Sequence, residues 1–241
     1  MKSIIATVVQ CLLTIFLYSV GIFILGLSLF PGILLCYFLW THFSSLPLVA
    51  RFLIFSFGIA TAFFIFGITQ MFVSGTIRLV FRLNLKEGEY DIISLGAFKW
   101  MFANSLYQLM AATFMDFILL TPFANVFHRL MGAKLGRNVQ INSKFCADMS
   151  LLEVGDGSVI GGHSTVISHS FERNRLILKK VKIGKKVIIG LNSVILPGCE
   201  IEDGALIAAG AVLNKNTHVG RREVYCGVPA ESAKARHVKE D

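Results

Sequence analysis

The sequence predicts apolar membrane helices followed by an all-β domain, a parallel β-helix, and three observations carry that prediction. An aliphatic residue returns every sixth position at Ile183, Ile189, Ile195, Ile201, Ile207, Leu213 and Val219. That period fits neither an α-helix nor an alternating strand and marks a stacked solenoid of short strands. The chain of 241 residues is 54% hydrophobic with a mean hydropathy of +0.67, more than a soluble globule carries. The apolar excess lies in Phe-rich runs before about Leu130, whereas the repeat lies after it. The chain therefore divides into transmembrane and interfacial helices over 1–133, the repeat domain over 134–230 and a polar tail over 231–241.

In chain order, Ile4 to Phe30 has no charge and exceeds the roughly 20 residues a membrane span needs. It is too long, and lacks a small-residue cleavage site, for a signal peptide. Apolar character continues past Pro31 to Trp40; one straight helix of that length would be about 55 Å against a hydrocarbon core of about 30 Å, so a kink or break near Pro31 is expected. A polar turn at His42 to Pro47 leads to a second apolar run, Leu48 to Val73, followed by Arg78, Arg82 and Lys86. With Lys2 before the first run, these cations place both outer ends of the helix pair in the cytoplasm, with Arg51 near the far turn as an exception. Leu85 to Ser94 reads as a polar linker. Ala97 to Leu120 reads as an interfacial or re-entrant helix with Trp100 and Tyr107 at headgroup depth, because a third span would carry the repeat domain to the other side. Asp116 within it reads as a helix-packing or headgroup-facing carboxylate. Thr121-Pro122 breaks this element, and Phe123 to Met131 reads as a short amphipathic helix.

The repeat begins near Leu135-Gly136, continues at Ile141, slips by one residue around Ala147 to Leu151, and resumes at Val154, Ile160 and Val166. Aliphatic residues fill the prism interior, and small residues such as Ser193, Cys199, Ala205 and Ala211 turn its corners. Val166 and Ile183 are 17 residues apart where six are expected, so roughly Ser168 to Leu178 must protrude as a loop. Loops on a rigid scaffold are where function concentrates. The tail after Val219 is expected to cap the open end.

The net charge is +8, yet no nucleic-acid motif accompanies it, so no nucleic-acid partner is expected. The lysines at 179, 180, 182, 185 and 186 fit either a solvated rim or a phosphate-binding patch. Five cysteines show no Cys-x-x-Cys spacing, which supports neither zinc nor a disulfide framework and favours a reducing compartment.

Of six histidines, His169 alone opens the extruded loop. Acyl transfer to a hydroxyl or amine needs a base near neutrality, and His169 is the best placed for it. A base of this kind benefits from a carboxylate on its other nitrogen. Asp148, about one coil earlier, and Glu172, within the loop, are both candidates, and either also fits a plain ion pair. His163 and His169 lack a third ligand in the earlier coils, so no metal is expected.

The hexads with Gly184 and Gly190, together with Gly227-Val228-Pro229-Ala230, resemble the left-handed β-helix acyltransferase superfamily. More narrowly, Glu87 to Ala230 resembles the membrane-bound C-terminal region of poly-ε-lysine synthetase-like proteins, through Lys86-Glu87-Gly88-Glu89-Tyr90, Thr121-Pro122-Phe123, Gly132-Ala133-Lys134-Leu135-Gly136 and Ser168-His169-Ser170-Phe171-Glu172. No adenylation or carrier domain accompanies these landmarks, so peptide synthesis does not transfer. The resemblance implies left-handed coils, a homotrimer, acetyl- or acyl-coenzyme A between neighbouring prisms, and a loop histidine as base. It implies cofactor contacts at Lys215, at Gly227 and Pro229, and at Lys234. Backbone N–H groups at Gly190 and Asn192 are natural oxyanion donors beside the cofactor. Glu231 stands where related enzymes often carry an arginine, and Arg173 where the narrower family has an acidic residue. The expected activity is a membrane-anchored acyltransferase in the cytoplasmic membrane, prism inward, acting on a lipid-linked or amphiphilic acceptor among membrane lipids. The alternatives are a non-catalytic trimeric scaffold, since fold does not fix function, and a metal hydrolase.

Overall fold

The computed structural model describes residues 2–233, with side chains from residue 7 on. Helix α1 (Lys2–His42) and helix α2 (Leu48–Val80) are joined by a short turn and pack antiparallel. Gly32 meets Ala62, Gly58 meets Leu39, and Trp40 meets Phe52 and Phe55. Both helices are long and apolar enough to cross a membrane, and large apolar side chains such as Ile22 and Phe57 point outward. Of the kink or break expected near Pro31, the break is absent, and α1 runs through the proline as one helix. Proline removes one N–H and costs about 3 kcal/mol in a helix interior. The next residue, Gly32, lies so close to Ala62 that a Cβ would come within 3.0 Å of that side chain, and this interhelical packing holds the segment helical. Arg51 lies at the turn with its guanidinium 4.2 Å over the Trp40 ring, a cation–π contact that explains a cation at that end.

The buried stripe of α2, including Gly67, Met71, Ser74, Gly75 and Arg78, recurs at three- and four-residue spacing and faces the rest of the protein. Gly67 admits Phe114 and Gly75 admits Leu130. Residues 85–94 are not a plain linker, because Gly88–Asp91 forms strand β1. Helix α3 (Leu95–Thr113), capped by the Ser94 side chain on the Ala97 N–H, precedes the short α4 (Met115–Ile118) and α5 (Pro122–Leu130). Proline at the start of α5 is well placed, since that N–H has no partner in any helix. Asp116 is exposed and pairs with Lys144 at 2.6 Å, tying α4 to the first coil.

The prism then winds in coils of two-residue strands. The first coil holds β2 (Lys134–Leu135) and β3 (Gln140–Ile141), and the second β4 (Leu152–Val154), β5 (Val159–Ile160) and β6 (Thr165–Val166). A hairpin of β7 (His169–Glu172) and β8 (Arg175–Leu178) leaves the prism here. The third coil holds β9 (Val181–Ile183), β10 (Ile188–Ile189) and β11 (Val194–Ile195), and the fourth β12 (Glu200–Ile201), β13 (Leu206–Ile207) and β14 (Val212–Leu213). Strands β15 (His218–Val219) and β16 (Val224–Cys226) end the solenoid, and β17 (Glu231–Ser232) folds back antiparallel on β16.

Strands of successive coils pair in parallel to form three faces, β2-β4-β9-β12-β15, β3-β5-β10-β13-β16 and β6-β11-β14. Register follows the hexads: Ile189 pairs with Ile160 and Ile207, and Ile195 with Val166 and Leu213. The interior stacks Ile160–Ile189–Ile207 on the second face and Ile195–Leu213 on the third are buried. Corner serines complete the hydrogen bonding, as Ser164 and Ser193 both donate to the Gly190 carbonyl and Ser158 to that of Gly184. A buried carbonyl without such a partner would carry a desolvation penalty. Cys146 and Cys199 are buried and free, and burial pushes the Cys146 thiol up to about 12, which suits packing rather than reactivity.

Truncation of Ile195 to Ala leaves a cavity where the coils cannot collapse, and is expected to lower stability by about 2–5 kcal/mol. Urea unfolding of the detergent-solubilised protein, followed by circular dichroism, would show it as a lower midpoint, and an unchanged midpoint would contradict the rigid interior.

Candidate active site

The register slip predicted around Ala147 to Leu151 is where the site begins. Instead of a full third strand, the first coil makes an isolated bridge between Cys146 and Val166. Asp148 then takes a left-handed conformation at φ 57°, and a 3-10 turn, Met149–Leu151, returns the chain to β4. This turn directs the Asp148 carboxylate inward, where its side chain has no solvent exposure. Four N–H groups converge on it. The Ser168 backbone N–H donates to Oδ2 at 2.9 Å, and Trp100 Nε1 and Asn104 Nδ2 donate to Oδ1 at 2.7 and 2.8 Å. The fourth is His169, with Nδ1 at 2.6 Å from Oδ2. Asn104 also accepts from the Asp148 backbone N–H at 3.0 Å. An ionised carboxylate can only accept, so Nδ1 carries the proton and Nε2 is the basic nitrogen of the ring. The His169 side chain is 23% exposed, open enough to be reached and fixed enough to be aimed.

Sheet geometry explains the rest of the constellation. β7 pairs antiparallel with β8 and β8 with β1, so that His169 lies opposite Leu178 and Gly88, and Phe171 opposite Leu176 and Tyr90. Directly paired residues share a face, and on this face α3 packs. The Trp100 ring meets His169 at 4.9 Å and Phe171 at 5.4 Å, both edge to face, while Gly96 leaves room for Tyr90. Trp100, expected at headgroup depth, gives its indole N–H to the carboxylate behind His169.

Ser170 and Glu172 alternate onto the other face. Glu172 therefore does not reach the His169 ring, which is a correction to its candidacy as the orienting carboxylate. It accepts from Lys215 Nζ at 2.5 Å and from Ser170 Oγ at 3.1 Å. The Lys215 ammonium, with help from the Ser170 hydroxyl, holds the Glu172 carboxyl below the usual range. Lys215 thus lies on the same prism corner as His169, engaged with a carboxylate.

The expected oxyanion donors are already used. Gly190 N–H donates to Ile207 O at 2.8 Å and Asn192 N–H to Gly162 O at 3.0 Å, because a continuous parallel ladder consumes the N–H groups of its corners. Their corner, between the second and third faces, differs from that of His169, where the chain leaves the third face. Gly227 takes φ 98° and is followed by a cis Val228–Pro229 bond. Gly227 O accepts from Val212 N–H and Ala230 N–H donates to Val212 O, so this segment closes the third face over β14. Lys234 and His237 lie outside the described residues.

The remaining histidines do other things. His163 is exposed, His218 faces Glu202 at 3.3 Å, and His42 stacks on Phe38. His128 is fully buried, and burial lowers its pKa to about 4. The lysine run is dispersed by strand alternation: Lys179 reaches Asn216, Lys180 lies near Glu87 and Glu153, and Lys182 pairs with Glu200. Reading the sequence missed Asn104 and the role of Trp100. Their four-residue spacing on one helix face was the available signal.

Residues 180–215, which hold β9 to β14, match the family model "Bacterial transferase hexapeptide (six repeats)". A delta-poly-L-ornithine synthetase of Acinetobacter baumannii is 24% identical over 70% of this chain and 12% of its own length. A putative acetyltransferase, YvoF, of Bacillus subtilis is 31% identical over 42% of this chain and 62% of its own. The chain thus spans less than two thirds of either relative. Among solved structures, a maltose O-acetyltransferase from Clostridium difficile 630 superposes with a TM-score of 0.48 at 19% identity, over 61% of this chain and 92% of that one.

The Glu172–Lys215 pair predicts a pH effect. Because the Glu172 pKa is lowered, the pair's contribution is present above the ordinary glutamate pKa and fades as pH falls through the lowered one; the solvent that reaches both side chains keeps it small. In Lys215→Met the Glu172 titration is expected to move up toward the ordinary value. Carboxyl-carbon NMR of the labelled protein would read this, and identical titrations would show that the pair does not persist in solution.

Proposed function

We propose that the chain is an acyl-coenzyme A-dependent acyltransferase of the hexapeptide-repeat superfamily, anchored in the cytoplasmic membrane, and that it transfers an acetyl or acyl group to a hydroxyl or amine of a lipid-linked or membrane-near acceptor. The observation that carries this reading is the 2.6 Å contact of His169 Nδ1 with the buried Asp148 carboxylate. It fixes the tautomer that leaves Nε2 as base and stabilises the imidazolium formed when that base is used.

In the reaction, Nε2 takes the proton of the acceptor O–H or N–H as the oxygen or nitrogen attacks the thioester carbonyl carbon. The carbon–sulfur bond then breaks, the sulfur of coenzyme A leaves with the electron pair, and the imidazolium returns the proton to it. Lys215 at the same corner is available to a coenzyme A phosphate by exchanging its partner Glu172. The hexapeptide-repeat match over 180–215 and the acetyltransferase name of the Bacillus relative support this activity class. The likeness to the Acinetobacter delta-poly-L-ornithine synthetase, over 12% of that protein, supports kinship with one part of such a synthetase.

Anchoring is supported by α1 and α2, whose lengths and hydropathy suit a membrane and whose outward side chains are apolar. Arg82, Lys86 and Lys99 near their outer ends favour the cytoplasmic side for the prism. A homotrimer is supported by two features. The His169 corner and the Gly190–Asn192 corner do not meet in one prism, and a neighbouring copy would bring such corners together. Ile188, Leu206 and Val224 are paired neighbours on the second face and all exposed, at 50%, 36% and 41%, forming an apolar column that a second copy would cover.

His169→Ala is expected to abolish transfer while coenzyme A binding, measured by calorimetry, persists. Asp148→Asn is expected to lower kcat by about 10²–10⁴-fold in the fraction that folds, with little change in KM. Wild-type turnover by folded His169→Ala would refute the mechanism. Separately, Leu206→Glu is expected to shift the detergent-solubilised protein from trimer to smaller species in light scattering, and an unchanged mass would remove the second face from the assembly.

A further inference from the structure

At the C-terminal end of α2 a cavity of about 360 Å³ opens between the helices and the first coils. Arg78, Lys86, Lys134, Ser150, Lys180 and one carboxylate, Glu87, are among its walls. Arg78 is only 8% exposed and its Nε, buried, has no hydrogen-bond partner; its guanidinium touches Asn84 Oδ1. The cavity is built rather than incidental. Gly132 lies so near the guanidinium that a Cβ there would overlap it, and Leu85 N–H donates to Ser150 Oγ at 3.0 Å, fixing the wall opposite.

The charges do not balance. Lys134 and Lys180 share Glu153 at 2.8 and 3.6 Å, and Lys180 also lies 3.9 Å from Glu87. Among the described residues no carboxylate pairs with Arg78 or Lys86. A buried guanidinium with an unmet N–H is unfavourable until an acceptor arrives, and its planar fork suits phosphate oxygens. The next residues, Leu79, Val80 and Phe81, are exposed by 56%, 69% and 60%, which gives the mouth an apolar neighbour. A second cavity of about 220 Å³ shares Asn84, Leu85 and Lys86 and reaches Lys99 and Leu178, the latter being the cross-strand partner of His169.

We propose that this cavity binds the phosphate group of an anionic membrane amphiphile, with Arg78 and Lys86 holding the headgroup and the tail lying against the last turn of α2. The site rests on the reading of α1 and α2 as membrane helices but not on the transfer chemistry, so its test needs no turnover.

The full chain, purified in dodecyl maltoside, is titrated with dioleoyl phosphatidylglycerol, dioleoyl phosphatidylcholine or inorganic phosphate, and the thermal midpoint is followed. Phosphatidylglycerol is expected to raise the midpoint saturably and phosphatidylcholine not to. Arg78→Lys, which keeps the charge but loses the fork, and Lys86→Gln are each expected to weaken that binding by about tenfold. Should Arg78→Lys fail to fold, Lys86→Gln, at an exposed position, decides. Equal effects of the two lipids, or wild-type affinity in Lys86→Gln, would overturn the site. Inorganic phosphate acting at the same concentration as phosphatidylglycerol would overturn the amphiphile as its source. Alkaline extraction of cell membranes tests the spanning reading independently: retention supports it, and release would remove the lipid ligand whatever became of the acyltransferase.

Discussion

A carboxylate withdrawn from water must be repaid in hydrogen bonds, and Asp148 obtains them from three separate parts of the chain. Trp100 and Asn104 come from α3, Ser168 from the end of the second coil, and His169 from the extruded hairpin. Removing any donor leaves charge buried with less compensation, which is strongly unfavourable. The network therefore does more than orient one imidazole. It sets the position of α3 on the hairpin and of the hairpin on the prism, because the four donors can satisfy one carboxylate only in one relative arrangement. The register slip in the first coil belongs to the same constraint. Without the left-handed residue at 148 and the 3-10 turn after it, the coil would run straight past and present no carboxylate to the third corner.

The hairpin is not a free loop, and that changes the chemistry assigned to its residues. Joined to β1, it is a three-stranded sheet with one face against α3 and the other toward the Lys215 corner. Alternation separates His169 and Phe171 from Ser170 and Glu172. The two charge systems, imidazole with Asp148 and Glu172 with Lys215, are adjacent in sequence but on opposite sides of a sheet, so the ion pair can open or close without disturbing the carboxylate behind the base.

How far the sequence revealed this depends on whether the determining interactions are local or periodic. The coils were legible because every interior position repeats at six residues, and the slip and the 11-residue excess before Ile183 showed as departures from that strict register. The placement of Asp148 one coil before His169 follows from the same arithmetic. Glu172 was read as a neighbour of the histidine because proximity in a loop carries no facing information, whereas a strand has two sides. β1 read as a linker since its partner, β8, lies far along the chain, and nothing in a short polar stretch announces a non-local pairing. Trp100 read as an interfacial aromatic for a similar reason, its partner being a single carboxylate after α5. The break at Pro31 was expected from local propensity, which close packing of Gly32 on Ala62 overrides. The N–H groups of Gly190 and Asn192 appeared free only while the stacking coils were left out of account.

Polar contacts tie the helices to the prism at several places, and one group of them gathers where α2 ends. Arg78 ends the buried stripe of α2 beside Asn84 and Gly132, Leu85 is held by Ser150, two residues after Asp148, and β1 begins three residues after Leu85 on the way to the hairpin. The segment from Arg78 to Asp91 therefore connects the end of a long apolar helix to the sheet that carries His169. Here α3 covers one face of the hairpin, and the two cavities that flank residues 84–86 open on the side where α2 ends. The cationic side chains at 78 and 86 therefore stand at the end of the apolar helix, and the strand that follows them, β1, pairs into the sheet that carries the imidazole.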